Sequence, residues 1–273
     1  MAASAKSTDD PTGLLPRVLQ PRLAQLRLDL RAVVAGLRGE RAPSWLPRDG
    51  SRYRSTRAAV GLSTRELEVT AVVHETAEAV SLVLRDPRGL TLPPLRPGQF
   101  FTVLVPVNGD GGELLRRAYS ISSDCRTREQ LTLTIKRVAG GRASNWLADH
   151  ATAGMRLQVL GPSGDFGFEP EPDRERPRKL VLIAGGSGIT PMMAMLRTLP
   201  EVEAGCELAL IYGNRRREDV IFAEDLDALA RRHGERLRIH HALEQPPSDW
   251  TGAHGRLDAA TLGAMLDAEA LAA

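Results

Sequence analysis

The chain has 273 residues, enough for about two domains with cores of their own, and its hydrophobic share of 42% is ordinary for a water-exposed globular protein. Net charge is +2, but residues 1–62 hold 11 Lys/Arg against 5 Asp/Glu and the remainder 25 against 29. The basic excess therefore lies outside the apparent folded body, which argues against a nucleic-acid partner. With two cysteines nothing suggests a disulfide framework or a zinc site, the plant-type ferredoxin spacing is absent, and neither a membrane-length apolar run nor a signal-peptide core is present, so a reducing cytoplasm is expected.

Residues 15–37 place Leu15, Leu19, Leu23, Leu26, Leu30, Val33 and Leu37 at three- and four-residue steps, the period of an amphipathic helix. Arg17, Arg27, Arg31 and Arg38 share the other surface, and Pro21 should kink or interrupt it. Packing on the chain's own body explains such a stripe more simply than contact with a membrane or a partner. Residues 39–62, rich in Arg, Pro, Ser and Gly, read as a linker, so residues 1–62 form a basic helical extension.

From Arg65 the period drops to two. Leu67, Val69, Ala71 and Val73 alternate with Glu66, Glu68, Thr70 and Val72. Val80, Leu82 and Leu84 repeat the pattern, as do Leu131, Leu133 and Ile135 against Thr132, Thr134 and Lys136. Pro/Gly turns at 87–89, 97–98, 109–112 and 161–164 separate these runs. They predict a closed antiparallel barrel of Greek-key type over 63–172, with one short helix over 144–150.

A linker over 169–178 leads into strand–helix alternation. The predicted strands are 180–184, 207–212 and 236–242, and the helices 190–199, 222–233 and 258–271. This is a parallel α/β domain over 173–273. The expected fold class is thus β barrel plus α/β, behind a helical N-terminal extension.

Three segments carry chemistry. In Arg117-Ala118-Tyr119-Ser120, alternation puts Arg117 and Tyr119 on one strand face, a forked cation beside a flat ring. Ser120 should face the other way unless the strand bends. In Lys136-Arg137-Val138-Ala139-Gly140-Gly141-Arg142-Ala143-Ser144, a strand ends on two glycines and a helix begins near Ser144, presenting backbone N–H groups and a hydroxyl. In KLVLIAGGSGITP (179–191), an apolar strand runs into Gly185, Gly186, Ser187 and Gly188. Thr190 is suited to cap the following helix and Pro191 to open it. Such a helix start attracts phosphate, so the segment reads as one end of a dinucleotide site. After the second α/β strand, Asn214-Arg215-Arg216-Arg217 places guanidinium groups where a 2′-phosphate would lie, which favours NADPH, with NADH the alternative. Tyr212 could stack near the adenine end.

RAYS (117–120), GGRAS (140–144), GPSGDF (161–166) and GGSGITP (185–191), in this order and spacing, resemble the ferredoxin–NADP reductase family. Within it the likeness is to reductase components that feed electrons to bacterial oxygenases, hydroxylases and desaturases. The resemblance covers about residues 65–266; residues 1–62 match no family. It implies that Arg117 binds flavin phosphate, that Tyr119 stacks on the isoalloxazine, and that Ser120 sits near the reactive flavin N5, Tyr119 and Ser120 being the catalytic pair. Ala118 belongs to the same segment. Gly141, Arg142, Ala143 and Ser144 would hold the FAD pyrophosphate, and Ile135, Lys136 and Arg137 would line the site largely through backbone atoms. Gly185, Gly186, Ser187, Gly188, Thr190 and Pro191 would receive the nicotinamide nucleotide, Thr190 nearest the nicotinamide. The second phosphate turn favours FAD over FMN. Hydride would pass from nicotinamide to flavin across roughly 3–3.5 Å, and single electrons then to an iron–sulfur protein or oxygenase. No protein nucleophile or metal is required.

Relatives continue beyond the last predicted helix with a strand beside 180–184. Its loss would leave an apolar strand edge uncovered, as in a fragment or a chain completed by a partner. This keeps a second reading open: a non-catalytic flavin- or nucleotide-binding module that docks a partner. A flavohaemoglobin-type reductase is a lesser third reading, since residues 1–62 are too short for a globin. Met192, Met193 and Met195 read as core filling. Cys125 could oxidise but belongs to no catalytic motif.

Overall fold

A computed structural model describes residues 64–107 and 114–272. The helix expected over 15–37, the linker after it and the turn at 109–112 lie outside the described residues.

The period-two region forms one six-stranded antiparallel sheet. Its strands are β1 (Arg65–Thr76), β2 (Ala79–Arg85), β3 (Phe100–Pro106), β4 (Leu114–Ser120), β5 (Gln130–Lys136) and β6 (Arg156–Ser163), in the order β4-β3-β6-β1-β2-β5. A bridge between Ile121 and Leu133 brings the two end strands together, so the sheet curls into a barrel. Leu67, Val69, Leu82, Leu84, Phe101, Leu131, Leu133 and Ile135 fill it, each fully buried.

In β1 the expected alternation breaks. Val69 pairs with Leu84 but Ala71 with Val83, so one residue is left over. This bulge rotates the strand. Val72 consequently packs on the core, and Val73 is exposed.

The helix α1 (Arg142–His150) sits between β5 and β6. The second half of the chain builds a parallel sheet, β10-β9-β8-β7, from β7 (Lys179–Gly185), β8 (Glu207–Asn214), β9 (Leu237–Leu243) and a two-residue β10 (Ala253–His254). Helices α2 (Ile189–Val202), α3 (Ala223–His233) and α4 (Ala259–Ala272) connect or follow these strands. β10 is too short to show a period and was not expected. Met193 and Met195 are core residues and Met192 packs partly buried against them, in keeping with core filling. β8 is central and nearly continuous in its burial. Among the described residues β7 pairs only with β8, and Val181 and Ile183 stand exposed on it. No helix among the described residues is long and apolar enough to cross a membrane.

Helix α2 joins the two sheets. Most of its apolar face lies in the α/β core, but Ala194 belongs to the barrel core. Arg197 Nη1 donates to the Ser122 carbonyl at 2.6 Å, and the Cys125 N–H donates to Thr198 Oγ1 at 3.0 Å. At its far end Glu203, 3% exposed, takes a forked pair of bonds from Arg178 (2.9 and 3.0 Å) and one from the Glu171 N–H at 3.1 Å. The connecting segment is thereby tied to the helix.

Removing one partner of a buried forked ion pair strands the other charge. We expect Glu203→Ala to lower the unfolding free energy by about 3 kcal/mol, read by urea denaturation. An Arg178→Met/Glu203→Leu double variant should recover at least half of that loss.

Candidate functional site

The open edge of the barrel and the start of α2 enclose a cavity of about 420 Å³. Arg117, Ala118, Tyr119 and Ser120 of β4 all line it. Strict alternation would have excluded Ser120, but β4 is an end strand with a ladder partner on one side only, so its last residues reach the cavity from both faces. Tyr119 is half-buried, and burial pushes its phenol up to about 12, with Arg117 pulling the other way. The ring therefore stays neutral. Arg117 Nη1 donates to the Arg116 carbonyl at 2.8 Å.

β5 contributes Thr134 and Lys136, which share a strand face. Thr134 was missed as a site residue, although its two-residue spacing from Lys136 carried the signal. Lys136 Nζ reaches across to within 3.6 Å of where a Cβ would stand on Gly186. Ile135 faces the barrel core, fully buried, and its side chain does not reach the cavity. Arg137 also points elsewhere, 2.5 Å from Asp149.

The turn after β5 delivers Val138, Gly141, Arg142, Ala143 and Ser144 to the cavity wall. Gly140 adopts φ +69°, the left-handed region where glycine has no steric cost. Helix α1 starts at Arg142, two residues before the expected position, with Gly141 as its N-cap. Ser144 does not cap it. Its Oγ instead accepts from the Val138 N–H at 3.3 Å, and Asn145 Nδ2 donates to the Val138 carbonyl at 3.1 Å. The first-turn N–H groups thus have no helical acceptor.

From the parallel sheet, Ser187 and Thr190 complete the lining. Gly186–Gly188 forms a single 3-10 turn, and α2 begins at Ile189 behind Gly188. Thr190 is therefore inside the helix rather than its cap. Its Oγ1 donates to the Ser187 carbonyl at 3.2 Å, and Pro191 is the third helical residue, where a missing N–H is still harmless. Gly185 and Gly188 have ordinary backbone angles (φ −130° and −63°), and a Cβ on either would meet no protein atom within 4 Å. Neither strain nor internal packing requires glycine there.

Tyr212 does not reach an adenine position. It is fully buried because β8 is covered on both faces, and its hydroxyl donates to the Gly186 carbonyl at 2.9 Å. It pins the glycine turn from below, a role invisible in the sequence. Asn214 is buried at the end of β8, and Arg215 and Arg216 are exposed beyond it. Arg216 Nε donates to Gln245 Oε1 at 3.0 Å. Arg217 lies 3.4 Å from Asp249 and over the Trp250 ring. None of the four lines the cavity. Cys125 is buried, which pushes its thiol up to about 12 and makes it a poor target for oxidation.

Among the described residues, the cavity lining holds Arg117, Lys136 and Arg142 and no carboxylate. Cations, a neutral flat ring and a helix N-terminus together suit a ligand that joins an aromatic ring system to phosphates.

Two family models match the chain: an oxidoreductase FAD-binding domain over residues 66–168 and an oxidoreductase NAD-binding domain over residues 182–271. The chain is 43% identical over 189 residues to the ferredoxin reductase component of 3-ketosteroid-9-alpha-monooxygenase from Mycolicibacterium smegmatis, covering 68% of this chain and 51% of that protein. It is 35% identical over 195 residues to one of the subunits of the 1,2-phenylacetyl-CoA epoxidase of Escherichia coli, covering 70% and 52%. Among solved structures, the ferredoxin reductase in carbazole 1,9a-dioxygenase superposes with a TM-score of 0.60 at 29% identity, over 72% of this chain and 56% of that one. Phthalate dioxygenase reductase does so with a TM-score of 0.57 at 29% identity, over 69% and 55%. The chain spans about half the length of the curated relatives it matches.

Tyr212→Phe keeps the packed ring and removes one buried hydrogen bond. The expected cost is about 1 kcal/mol in thermal or chemical unfolding. Amide exchange should quicken across residues 186–188 while the barrel amides keep their protection.

Proposed function

The chain belongs to the ferredoxin–NADP reductase family, and on that premise we propose that it draws electrons from NADPH and passes them singly to an iron–sulfur protein or oxygenase. The work divides between an FAD-binding barrel over 63–172 and a nucleotide-binding domain over 173–273, in the cytoplasm.

One observation carries this reading. A carboxylate-free cationic cavity on the barrel is closed on one side by the glycine turn of the parallel sheet. The residues fit FAD: Arg117 would take its phosphate, the Tyr119 ring would stack on the isoalloxazine, and the α1 start from Gly141 to Ser144 would receive the pyrophosphate. When bound, FAD supplies the exchange between two-electron and one-electron chemistry. Ser120 offers a hydroxyl at the reacting edge, and Lys136 offers positive charge between the two cofactor sites. The bare Cβ positions of Gly185 and Gly188 leave room for a nucleotide backbone to approach Ser187 and Thr190. Exposed Arg215 and Arg216 meet the 2′-phosphate that marks NADPH.

The reading in which the chain is a non-catalytic module docking a partner has one observation in its favour, the exposed Val181 and Ile183 on β7. NADPH-driven ferricyanide reduction by the FAD-loaded protein separates the two. Steady turnover supports the reductase, whereas FAD binding without turnover supports the module.

Arg117→Gln should weaken FAD binding about 10–100-fold, the roughly 1.5–3 kcal/mol of a charged hydrogen bond, in a fluorescence titration. Gly185→Ala should leave the unfolding midpoint unchanged yet raise the nucleotide Kd about tenfold by steric displacement. Arg215→Ala/Arg216→Ala should raise KM for NADPH about tenfold and leave KM for NADH within about twofold. A protein that stays colourless with excess FAD would refute the assignment.

A further inference from the structure

One wall of the cavity continues inward as a line of hydroxyl groups. Thr134 Oγ1 lies 2.8 Å from Ser122 Oγ and 2.8 Å from Ser81 Oγ. Ser81 Oγ in turn donates to Glu75 Oε1 at 2.5 Å. Ser81, Ser122 and Thr134 are at most 4% exposed, whereas Glu75 is only part-buried. The line therefore runs from the cavity, along the outer face of the barrel, to a carboxylate with access to solvent.

Its polarity follows from counting hydrogens. A carboxylate only accepts, so the Ser81 proton is committed to Glu75. Ser81 must then accept from Thr134, and Thr134 from Ser122, whose one hydroxyl proton is shared with the Thr132 carbonyl at 3.3 Å. Every donor in the line points towards Glu75, and Thr134 keeps a second lone pair for a donor in the cavity. Burial raises the Glu75 carboxyl above its ordinary range. Two charged groups act on it from the helices packed there, Asp225 of α3 raising it further and Arg197 of α2 lowering it. Arg197 is held by both the Ser122 carbonyl (2.6 Å) and Asp225 (2.5 Å), so one guanidinium steadies the inner serine and the neighbourhood of the outer carboxylate.

Resting on the function proposed above, the stoichiometry requires such a path. NAD(P)H oxidised by two one-electron acceptors yields NAD(P)⁺, two electrons and one proton, and that proton must leave the cavity. We propose that Thr134, Ser81 and Glu75 form the proton exit from the flavin cavity to the surface beside α2 and α3. A proton accepted at Thr134 Oγ1 releases the Thr134 proton to Ser81, and Ser81 releases its own to Glu75. One O–H bond forms and one breaks at each hydroxyl, and the carboxylate becomes a carboxylic acid that discharges to water.

The test uses the FAD-loaded full chain and three variants, Thr134→Val, Ser81→Ala and Glu75→Gln. Photoreduced protein is mixed with ferricyanide beside a pH-indicator dye, in H₂O and D₂O. Thr134→Val and Glu75→Gln should slow proton release roughly tenfold or more. The parent should show a solvent isotope effect, and its pH dependence should flatten in Glu75→Gln. In the FAD-free protein, Ser81→Ala should raise the Glu75 pKa, followed by carboxyl NMR, because the carboxylate loses a donated hydrogen bond. Parental release rates and isotope effects in variants that bind FAD would overturn the relay and leave the reductase reading intact. So would an unmoved Glu75 pKa, or variants that lose only FAD affinity or melting temperature. A parent protein that binds no FAD would overturn both.

Discussion

Everything at the site depends on how α2 is seated. The helix packs one face in the parallel-sheet core, yet places Ala194 in the barrel core, and Arg197 and Thr198 bind barrel backbone at Ser122 and Cys125. A helix so fixed has no freedom to slide. Its first turn, with Ser187 and Thr190, must lie against the open edge of the barrel. Two cofactors whose reacting atoms have to come within roughly 3–3.5 Å need this kind of constraint, because a small misplacement costs far more rate than a lost surface contact.

The electrostatics are arranged on the same frame. Acidic side chains are frequent in this chain, but none of the described ones lines the cavity. Most of the described arginines elsewhere are paired with carboxylates, as Arg178 is with Glu203 and Arg137 with Asp149. In the cavity Arg117, Lys136 and Arg142 line one space, and the start of α1 lies in the same wall. On the proposed reading this positive charge would meet a dinucleotide's phosphates, and the neutral Tyr119 ring its flat end.

The polar groups in the barrel wall make a different kind of sense. Ser81 and Thr134 are register partners across β2 and β5, on the face opposite the apolar residues that fill the barrel. A hydroxyl pair can satisfy itself there, so burial alone does not make it costly. What distinguishes this pair is its continuation, to the cavity on one side and to Glu75 on the other. The same helix that aligns the cofactor sites also supplies the arginine that steadies this line.

The ordering of elements was legible in the sequence, because period-two and period-3.6 apolar patterns are local properties of the chain. So were the glycine turns at 140–141 and 185–188 and the Arg-x-Tyr pair, whose spacing alone puts cation and ring together. The bulge in β1, which turns Val72 inward and Val73 outward, could not be read, since a register shift exists only between two paired strands. Nor could the inclusion of Ser120, which follows from β4 being an end strand, or the start of α2 at Ile189. Tyr212 looked like a ligand-stacking aromatic because it precedes Asn214 and the arginines. Only the central place of β8 in its sheet buries it and turns its hydroxyl to Gly186. Local composition determined which chemistry the chain carries. The tertiary structure decided which of those groups meet, because distances between residues far apart in the chain are set by packing.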